Sequence, residues 1–239
     1  DAKDLEAPES VGRTAGERTL KRLGAQSLST RHCPVIYQAD VAASLLGHFI
    51  GAIRGGNLYR KSSFLLDQLG QPIFPDFVDI QEVPHLPRGL GSAPYDSEGV
   101  ATQARHLVRN GILESYVLST YSARKLGLTT TGNAGGVHNL MITPGTQTLT
   151  ELLKAMGTGL LITELMGQGV NLVTGDYSRG AAGFWVEKGE IQYPVEEFTI
   201  AGNLRDLYRN LVAVGSDVDL RGNTRTGSIL LSEMTVAGN

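Results

Sequence analysis

The chain of 239 residues has little of several features that would mark a particular class of protein. Its single cysteine, Cys33, rules out an internal disulfide framework and fits a reducing compartment. No apolar run approaches the roughly 20 residues of a membrane-spanning helix. Positive charge is not in surplus, because 21 Lys and Arg face 24 Asp and Glu for a net charge of −3. Phosphate-driven binding needs such a surplus, so we expect no direct contact with nucleic acid and none with a membrane.

What the chain does contain favours a compact, strand-rich fold. Apolar residues make up 41% of the sequence, and 30 glycines indicate many tight turns. Asn110-Gly111 stands between two apolar segments, 103–109 and 112–119, and is the dipeptide preferred in a type I′ hairpin turn. Predicted strands come mostly as hairpins, and helices come singly. We therefore expect an α+β fold that is β-rich, with largely antiparallel, barrel-like sheets and a few packed helices.

The domain organisation is predicted from the same patterns. Residues 1–25 are expected to form a polar lead-in with a short helix at Glu17–Leu23, and residues 26–239 a single β-rich domain. Asp40 precedes an apolar stripe of helical period, and Thr148 with Glu151 forms a capping box, so each predicts a helix start. Further predictions are helices at Leu58–Leu69 and Leu204–Val214, strands at Cys33–Tyr37, Gly159–Met166, Val170–Asp176 and Ser228–Val236, and an edge strand at Phe77–Gln81.

Motifs that carry chemistry are weak. The five histidines stand at positions 32, 48, 85, 106 and 138, so no two have the spacing of a helical metal-binding pair. The Gly-rich segment 131–136 lacks the Gly-Lys-Ser/Thr end of a P-loop. Cys33 is interpreted as a buried, small apolar residue. Asp217 and Asp219 alternate along a predicted strand, a pattern more typical of a solvated edge than of an acid–base pair. No residue is assigned a catalytic role.

Several longer runs together resemble one family. Their combined length, from about Glu9 to the end of the chain, makes the likeness specific. The runs are Pro84–Ser92, Tyr121–Gly127, Thr130–Asn139, Gly175–Trp185, Ser228–Leu231 and Met234–Gly238. They resemble the TldD/PmbA family, and within it the branch called PmbA or TldE.

This resemblance implies a fold, an activity and a location. It implies an N-terminal α/β domain, which is expected to be absent from this chain, and a C-terminal β-rich domain, which residues 26–239 are expected to cover. Members of the family are bacterial cytoplasmic zinc peptidases that work as heterodimers on unfolded or leader peptides. The chain is accordingly expected to meet an unfolded or leader peptide, and to pair with a TldD-like zinc-bearing subunit or with a second copy of itself.

The sequence departs from the family where the zinc should be bound. The TldD branch carries H-E-x-x-x-H on a helix, and a later Cys. Here that helix should fall at residues 39–44, where Ala39 and Ser44 replace the histidines and Asp40 replaces the glutamate. No Cys stands near residues 225–227. The resemblance thus implies a non-catalytic subunit without catalytic or metal-binding residues and without a cofactor of its own, the zinc belonging to the partner.

The same resemblance suggests where a peptide would be bound. The Gly-rich loop and the turn that follows Gly175 are candidates for lining a groove, because glycine permits close approach of a peptide backbone. The expected peptide-binding residues are Gly135, Gly136, His138, Asn139, Tyr177 and Arg179.

Two alternatives remain open from the sequence. The chain could be a metallopeptidase itself, with a divergent site built from His48, His138, and Asp217 or Asp219. It could also be a regulator linked indirectly to DNA gyrase, because the family has been described as a modulator of that enzyme. Turnover of a peptide toxin or antitoxin would supply such a link.

Overall fold

The computed structural model describes residues 2–238. Within them a short 3-10 turn at Ala2–Asp4 precedes the α-helices. The helices are α1 (Pro8–Lys21), α2 (Ala39–Ile53), α3 (Gly55–Tyr59), α4 (Thr120–Leu126), α5 (Leu149–Met156) and α6 (Leu204–Arg209). None of these is both long and apolar enough to cross a membrane.

The strands of the same residues form two sheets. They are β1 (Arg31–Tyr37), β2 (Ile80–Glu82), β3 (Arg105–Arg109), β4 (Ile112–Leu113), β5 (Leu140–Ile142), β6 (Gly159–Met166), β7 (Asp176–Glu187), β8 (Glu190–Asn203), β9 (Leu211–Val214), β10 (Thr224–Arg225) and β11 (Ile229–Ala237). The larger sheet has the order β1-β6-β7-β8-β11-β9, and the smaller one β10-β5-β2-β3-β4.

The larger sheet closes on itself. Because β11 pairs with β1 as well as with β8, the strands β1, β6, β7, β8 and β11 form a five-stranded barrel. All of its pairs are antiparallel except β1 with β6. Inside it, the hydroxyl of Tyr37 lies 3.2 Å from that of Tyr177 and 3.4 Å from the sulfur of Met234. The expected α+β fold with largely antiparallel, barrel-like sheets is confirmed.

The outer face of the barrel is also apolar on one side. Ile36, Leu161, Val186 and Leu230 point outward and are covered by α5. That arrangement explains the unbroken apolar run at the centre of β6, since a strand covered on both faces needs no alternating polar residues.

The smaller sheet contains the predicted hairpin. β3 and β4 pair antiparallel across Asn110 and Gly111, which have φ values of 48° and 75°. Both residues are therefore left-handed, as a type I′ turn requires, and the prediction is confirmed.

Helix α2 lies between the two sheets. Its buried residues repeat with helical period, and the helix contacts β6 of the barrel and β10 of the smaller sheet. Phe49 is fully buried and packs edge-on against Phe74 and Tyr208. The stripe predicted after Asp40 thus forms the centre of the main core.

Several local predictions are wrong. The short helix predicted at Glu17–Leu23 is α1, which already begins at Pro8 within the predicted lead-in and ends at Lys21. The predicted helix Leu58–Leu69 ends at Tyr59, since Lys61 has a φ of 56° and the Ser63 hydroxyl bonds to the Ala52 carbonyl. The helix Leu204–Val214 ends at Arg209, because its last residues pair with β11 as β9. Val170–Asp176 is a turn rather than a strand. The edge strand predicted at Phe77–Gln81 is β2, which lies inside its sheet between β3 and β5. Tertiary pairing overrides local propensity in each sheet-forming case.

Candidate functional site

An ion-pair cluster occupies the N-terminus of α2. The Asp40 carboxylate accepts a hydrogen bond from Arg18 at 2.8 Å and lies 3.6 Å from the Arg221 guanidinium. Arg221 in turn donates two hydrogen bonds to Asp219, at 2.9 and 2.8 Å. These bonds hold the pKa of Asp219 below its usual range and raise that of Arg221. The arrangement ties α1, α2 and the loop before β10 together.

The residues at this position do not fit a zinc site. Ala39 offers no donor atom, and the Ser44 hydroxyl donates to the Val41 carbonyl at 2.7 Å within its own helix. Asp40 is already paired with two guanidinium groups. Zinc requires three or four nitrogen, sulfur or oxygen ligands, and none of the three residues supplies one free of such pairing.

The ligands considered for a dispersed metal site lie in separate surroundings. Asp217 accepts hydrogen bonds from the backbone and hydroxyl of Ser228, whereas Asp219 is bound to Arg221; both lie in a loop rather than on the predicted strand. His138 contacts Glu82, and His48 contacts Tyr177. Across residues 2–238, no group of three or more His, Cys, Asp and Glu could hold a metal ion.

A groove begins at the ion-pair cluster and continues over the outer face of the barrel. Its smaller part, about 220 Å³, is lined by Asp40, Asp219 and Arg221. Its larger part, about 650 Å³, lies over β6, β7 and β8 with α1 at its side. The two parts share Arg18, Gln38 and Leu149 as lining residues, so they adjoin each other.

The floor of the larger part is apolar and its walls are polar. Phe184 extends the apolar face that α5 covers, Leu161 lies at the border of the covered part, and Thr163 lies beside them. Arg22 of the segment after α1 forms an ion pair with Glu164 across the groove. Such a combination of apolar floor and few polar walls is typical of ligand grooves.

The edge of β8 also faces this groove. Residues 190–194 of β8 pair with β7 on one side, and β11 pairs with β8 only at Thr199–Ala201. Between these segments, Gln26 alone bridges to Val195. Ile191, Gln192 and Tyr193 line the groove. Among the described residues, this part of β8 has no strand partner on its second edge, but some of its backbone is already bonded. The Gln26 N–H donates to the Pro194 carbonyl and the Gln192 side chain donates to the Glu190 carbonyl, each at 3.0 Å. Only a short stretch around Gln192 is therefore left to accept an extended peptide.

The Gly-rich loop is organised by a buried carboxylate. Glu82 is 1% exposed, and its Oε1 accepts hydrogen bonds from the backbone and the Nδ1 of His138, at 2.7 and 3.1 Å, and from Asn133 at 2.7 Å. Arg105 lies 3.5 Å from the other oxygen. Gly135 and Gly136 have φ values of 103° and 129°, and Gly135 lies at the surface of this loop. The loop is thus held in a fixed shape.

Asn139 lies inside the molecule. It is completely buried, and its amide accepts a hydrogen bond from Gly91 N at 2.9 Å and donates to the Val83 carbonyl and the Ser92 hydroxyl. The structure therefore places this predicted peptide-binding residue as an internal tie between β5 and the loop that follows β2.

The two predicted residues of β7 lie near His48 rather than near the Gly-rich loop. Tyr177 is 1% exposed and its ring meets that of His48 edge-on at 5.8 Å. Arg179 is half-buried beside Tyr177, and its Nε is enclosed without a hydrogen-bond partner. Burial, followed by the charge of Arg179, lowers the pKa of His48. The six predicted residues thus fall into two separate groups.

Comparison with known proteins agrees with this architecture. The family model described as the PmbA/TldA metallopeptidase C-terminal domain matches residues 30–238. Metalloprotease PmbA of Escherichia coli O157:H7 is 58% identical over 235 residues, which are 98% of this chain and 52% of that protein. The chain belongs to the PmbA/TldD family. It spans about half the length of the curated relatives that it matches.

Solved PmbA/TldD-type structures share the fold. A Bacteroides thetaiotaomicron protein described as a candidate modulator of DNA gyrase superimposes with a TM-score of 0.94 at 32% identity, covering 99% of this chain and 54% of that one. TldE from Thermococcus kodakarensis gives 0.83 at 24% identity, covering 96% and 55%, a likeness of fold.

Sequence reasoning missed the residues that organise the site in this PmbA/TldD domain. Glu82 and Arg221 carry no local motif. His138, which contacts Glu82, lies 56 positions away, and Asp40, which contacts Arg221, lies 181 positions away. The groove likewise joins residues from 18 to 221. The sequence indicated Asp40 as a helix start, and it indicated Asp219 and His138 as candidate residues without their partners.

Replacing Arg221 by glutamine should make the free energy of unfolding fall less as the pH is lowered. The pKa of Asp219 is lowered in the folded chain, so its contribution is present above the unfolded value near 4 and is lost as the pH falls through the folded value. Because Arg221 is 63% exposed, solvent screening limits the cost of Arg221→Gln at pH 7 to about 1 kcal/mol. Urea unfolding at pH 7, 5 and 3 should show this difference shrinking. Arg13→Gln, an exposed arginine of α1, is the control, and a difference that grows toward pH 3 would contradict the prediction.

Proposed function

We propose that this chain is the substrate-holding, non-catalytic subunit of a two-chain zinc peptidase of the PmbA/TldD family. A TldD-like partner would supply the zinc, and the substrates would be unfolded or leader peptides. The observation that carries this proposal is the position of Arg221, whose guanidinium lies between the carboxylates of Asp40 and Asp219 at the N-terminus of α2.

A fixed guanidinium at this point opposes metal binding. It neutralises the two carboxylates that would otherwise attract a cation, and its own positive charge repels one. Arg18 adds a second positive charge on Asp40. The residues of this chain would therefore perform no hydrolytic step themselves.

The groove supports a role in holding the peptide. A strand of five residues is roughly 17 Å long and would lie across the apolar floor over Leu161 and Phe184. The unpaired backbone of β8 around Gln192 would offer hydrogen bonds, which are independent of side-chain sequence and so suit unfolded substrates. Gly135, Gly136 and His138 of the Gly-rich loop would contact the peptide outside the groove, because they do not line it. Arg179 of β7 would do the same.

A cytoplasmic location completes the proposal. Burial leaves Cys33 only 8% exposed and raises the pKa of its thiol to about 11. The thiol therefore stays protonated and unreactive, which suits a protein that relies on neither a disulfide nor a metal–thiolate bond.

Metal content and peptide turnover of the purified chain test this function. After dialysis against trace zinc, elemental analysis should find far less than one zinc per chain, and the chain alone should not hydrolyse an unfolded peptide. Mixing it with a zinc-bearing subunit of the family should produce hydrolysis. One zinc per chain together with chelator-sensitive hydrolysis by the chain alone would instead establish a divergent metallopeptidase.

Filling the groove should reduce turnover by the assembled pair. Thr163→Trp places a large ring on the groove floor. We expect kcat/KM for an unfolded peptide to fall at least about tenfold, because the ring occupies the volume in which the peptide would bind. Val212→Trp adds the same bulk at a strand position that is 49% exposed and outside the groove, and it should leave turnover unchanged. Equal turnover by the two variants would show that the peptide lies elsewhere.

A link to DNA gyrase, as in the descriptions of two solved relatives, would then be indirect. We propose that it runs through turnover of a peptide that itself acts on gyrase, and not through direct binding of this chain to DNA. The net charge of −3 is the reason for preferring the indirect route.

A further inference from the structure

Helices α3 and α4 together present a basic, aromatic surface that the groove does not use. We call it the α3–α4 platform. It consists of Tyr59, Arg60, Lys61, Tyr121, Arg124 and Lys125. α3 follows the C-terminal end of α2, whose 15 residues span roughly 22 Å. The platform and the ion-pair cluster at Asp40 therefore lie toward opposite ends of that helix.

The platform is held in a fixed geometry. Gly55 of α3 packs so closely against Ser122 of α4 that a Cβ atom would collide with that side chain. The rings of Tyr59 and Tyr121 meet edge-to-face with centroids 5.7 Å apart. The two helices therefore form one rigid unit rather than two independent segments.

Cations flank the two rings. The Arg60 guanidinium lies 5.4 Å from the centroid of Tyr59, and the Lys125 ammonium lies 5.7 Å from that of Tyr121. Arg60 also donates to Asn57 at 3.3 Å, and Asn57 donates to the Gly51 carbonyl at 2.7 Å. The positive charges are thus partly preorganised over the aromatic rings.

The charges of the platform have no carboxylate partners. Within residues 2–238, its four cations form no ion pair at 4.0 Å or less. Six arginines elsewhere do: Arg18, Arg22, Arg88, Arg105, Arg109 and Arg221. The neighbouring carboxylate of Glu98 accepts from the backbone N–H of Thr120, at the end of α4 away from Lys125. Arg60 and Lys125 lie beside the paired rings, and Lys61 and Arg124 are their neighbours in the chain. Two short segments that contact each other thus carry four cations in a chain with more acidic than basic residues.

We propose that the α3–α4 platform docks an acidic segment of a polypeptide partner. Carboxylates would pair with the cations, while Tyr121, which is 57% exposed, would contact the apolar parts of the segment. A short peptide fits better than duplex DNA, because a long phosphate array would extend over the remaining, net acidic surface. This inference is independent of the proposed function, since it uses neither the groove nor the Asp40 cluster.

Binding of a synthetic acidic peptide tests the platform. The probe is a fluorescein-labelled decapeptide of alternating Glu and Ala, followed by anisotropy at low salt, and its affinity should fall as salt is added. In the variant Arg60→Glu/Lys125→Glu, the Kd should rise at least about tenfold. Lys154→Glu/Arg209→Glu is the matched control, because it changes the net charge equally and its residues also lie in the last turns of helices. That control should bind the probe like the wild type.

Three results would overturn the proposal. These are no binding of the acidic probe at millimolar protein, equal weakening in the platform and control variants, or tighter binding of a 20-base-pair duplex that depends on the same two residues. Circular dichroism of each variant establishes that it is folded. A labelled decapeptide of alternating Lys and Ala serves as the control for the charge of the probe, and it should not bind to the platform.

Discussion

Glu82→Ala should lower the melting temperature of this chain more than most single substitutions. The change leaves the half-buried Arg105 guanidinium without its carboxylate and removes the acceptor for the His138 backbone and Asn133. Removing one partner of a buried ion pair costs about 3–5 kcal/mol. For a chain of this length, such a loss corresponds to a fall of roughly 6–20 °C in the melting temperature.

The isosteric variant Glu82→Gln separates the contribution of the carboxylate charge from that of the hydrogen-bond acceptor. Glu82→Gln keeps an oxygen that can accept from His138 and Asn133 but loses the charge facing Arg105, so we expect a smaller cost of about 1–3 kcal/mol. Calorimetry of the two variants beside the wild type is the measurement. Melting of Glu82→Ala within a degree or two of the wild type would show that the loop does not depend on this carboxylate.

Gly183→Ala should be nearly as damaging, for a steric reason. A Cβ at this position in β7 would lie 3.0 Å from the carbonyl carbon of Leu161, still closer to its oxygen, and 3.1 Å from Cα of Ile162. These are backbone atoms of the adjacent strand β6, which cannot move without loosening the barrel. We expect a loss of at least about 3 kcal/mol, at the upper end of overpacking effects.

A glycine on the same strand is the control. A Cβ at Gly180 would meet its nearest neighbour, Met166, at an ordinary 3.4 Å. Gly180→Ala should therefore leave the urea midpoint unchanged or slightly raised, since alanine costs less backbone entropy than glycine. If both variants unfolded at the same urea concentration, close approach of β6 to Gly183 would not be limiting the barrel.

The parts of the fold that were predictable are those decided by neighbouring residues. The type I′ turn at Asn110, the capping box at Thr148 and the bounds of β6 follow from short patterns, and the structure has them as predicted. Leu211–Val214 was predicted as helix because its apolar spacing continues that of α6, but pairing with β11 makes it a strand. No local pattern reports the availability of a partner 15 or more residues away.

The site was less predictable than the fold because its contacts join distant parts of the chain. Asp40 was visible as a helix start, but its partners Arg18 and Arg221 come from both ends of the sequence. The α3–α4 platform was missed for a similar reason. Overall counts of charge describe the whole chain, whereas the platform depends on Tyr59 and Tyr121, which are 62 positions apart and meet only in the folded state.

The predicted peptide-binding residues show the same limit. Glycines and polar residues in loops are typical both of binding surfaces and of internal ties. The completely buried Asn139 and the 1% exposed Tyr177 hold the fold together in this conformation, whereas Gly135 stands at the surface. Their local sequence does not distinguish the two roles, because burial is set by what the rest of the chain places over them.

Closure of the barrel by β1 and β11 has a consequence for how the molecule is made. The two strands pair from Arg31 with Val236 to Tyr37 with Ile229, so about 200 residues separate each pair of neighbours. During synthesis, one edge of β1 stays unpaired until β11 has left the ribosome. Contacts of such long sequence separation form late and slowly. The nascent barrel is therefore open to aggregation until its last strand has been made, and protection during that interval bears on its yield.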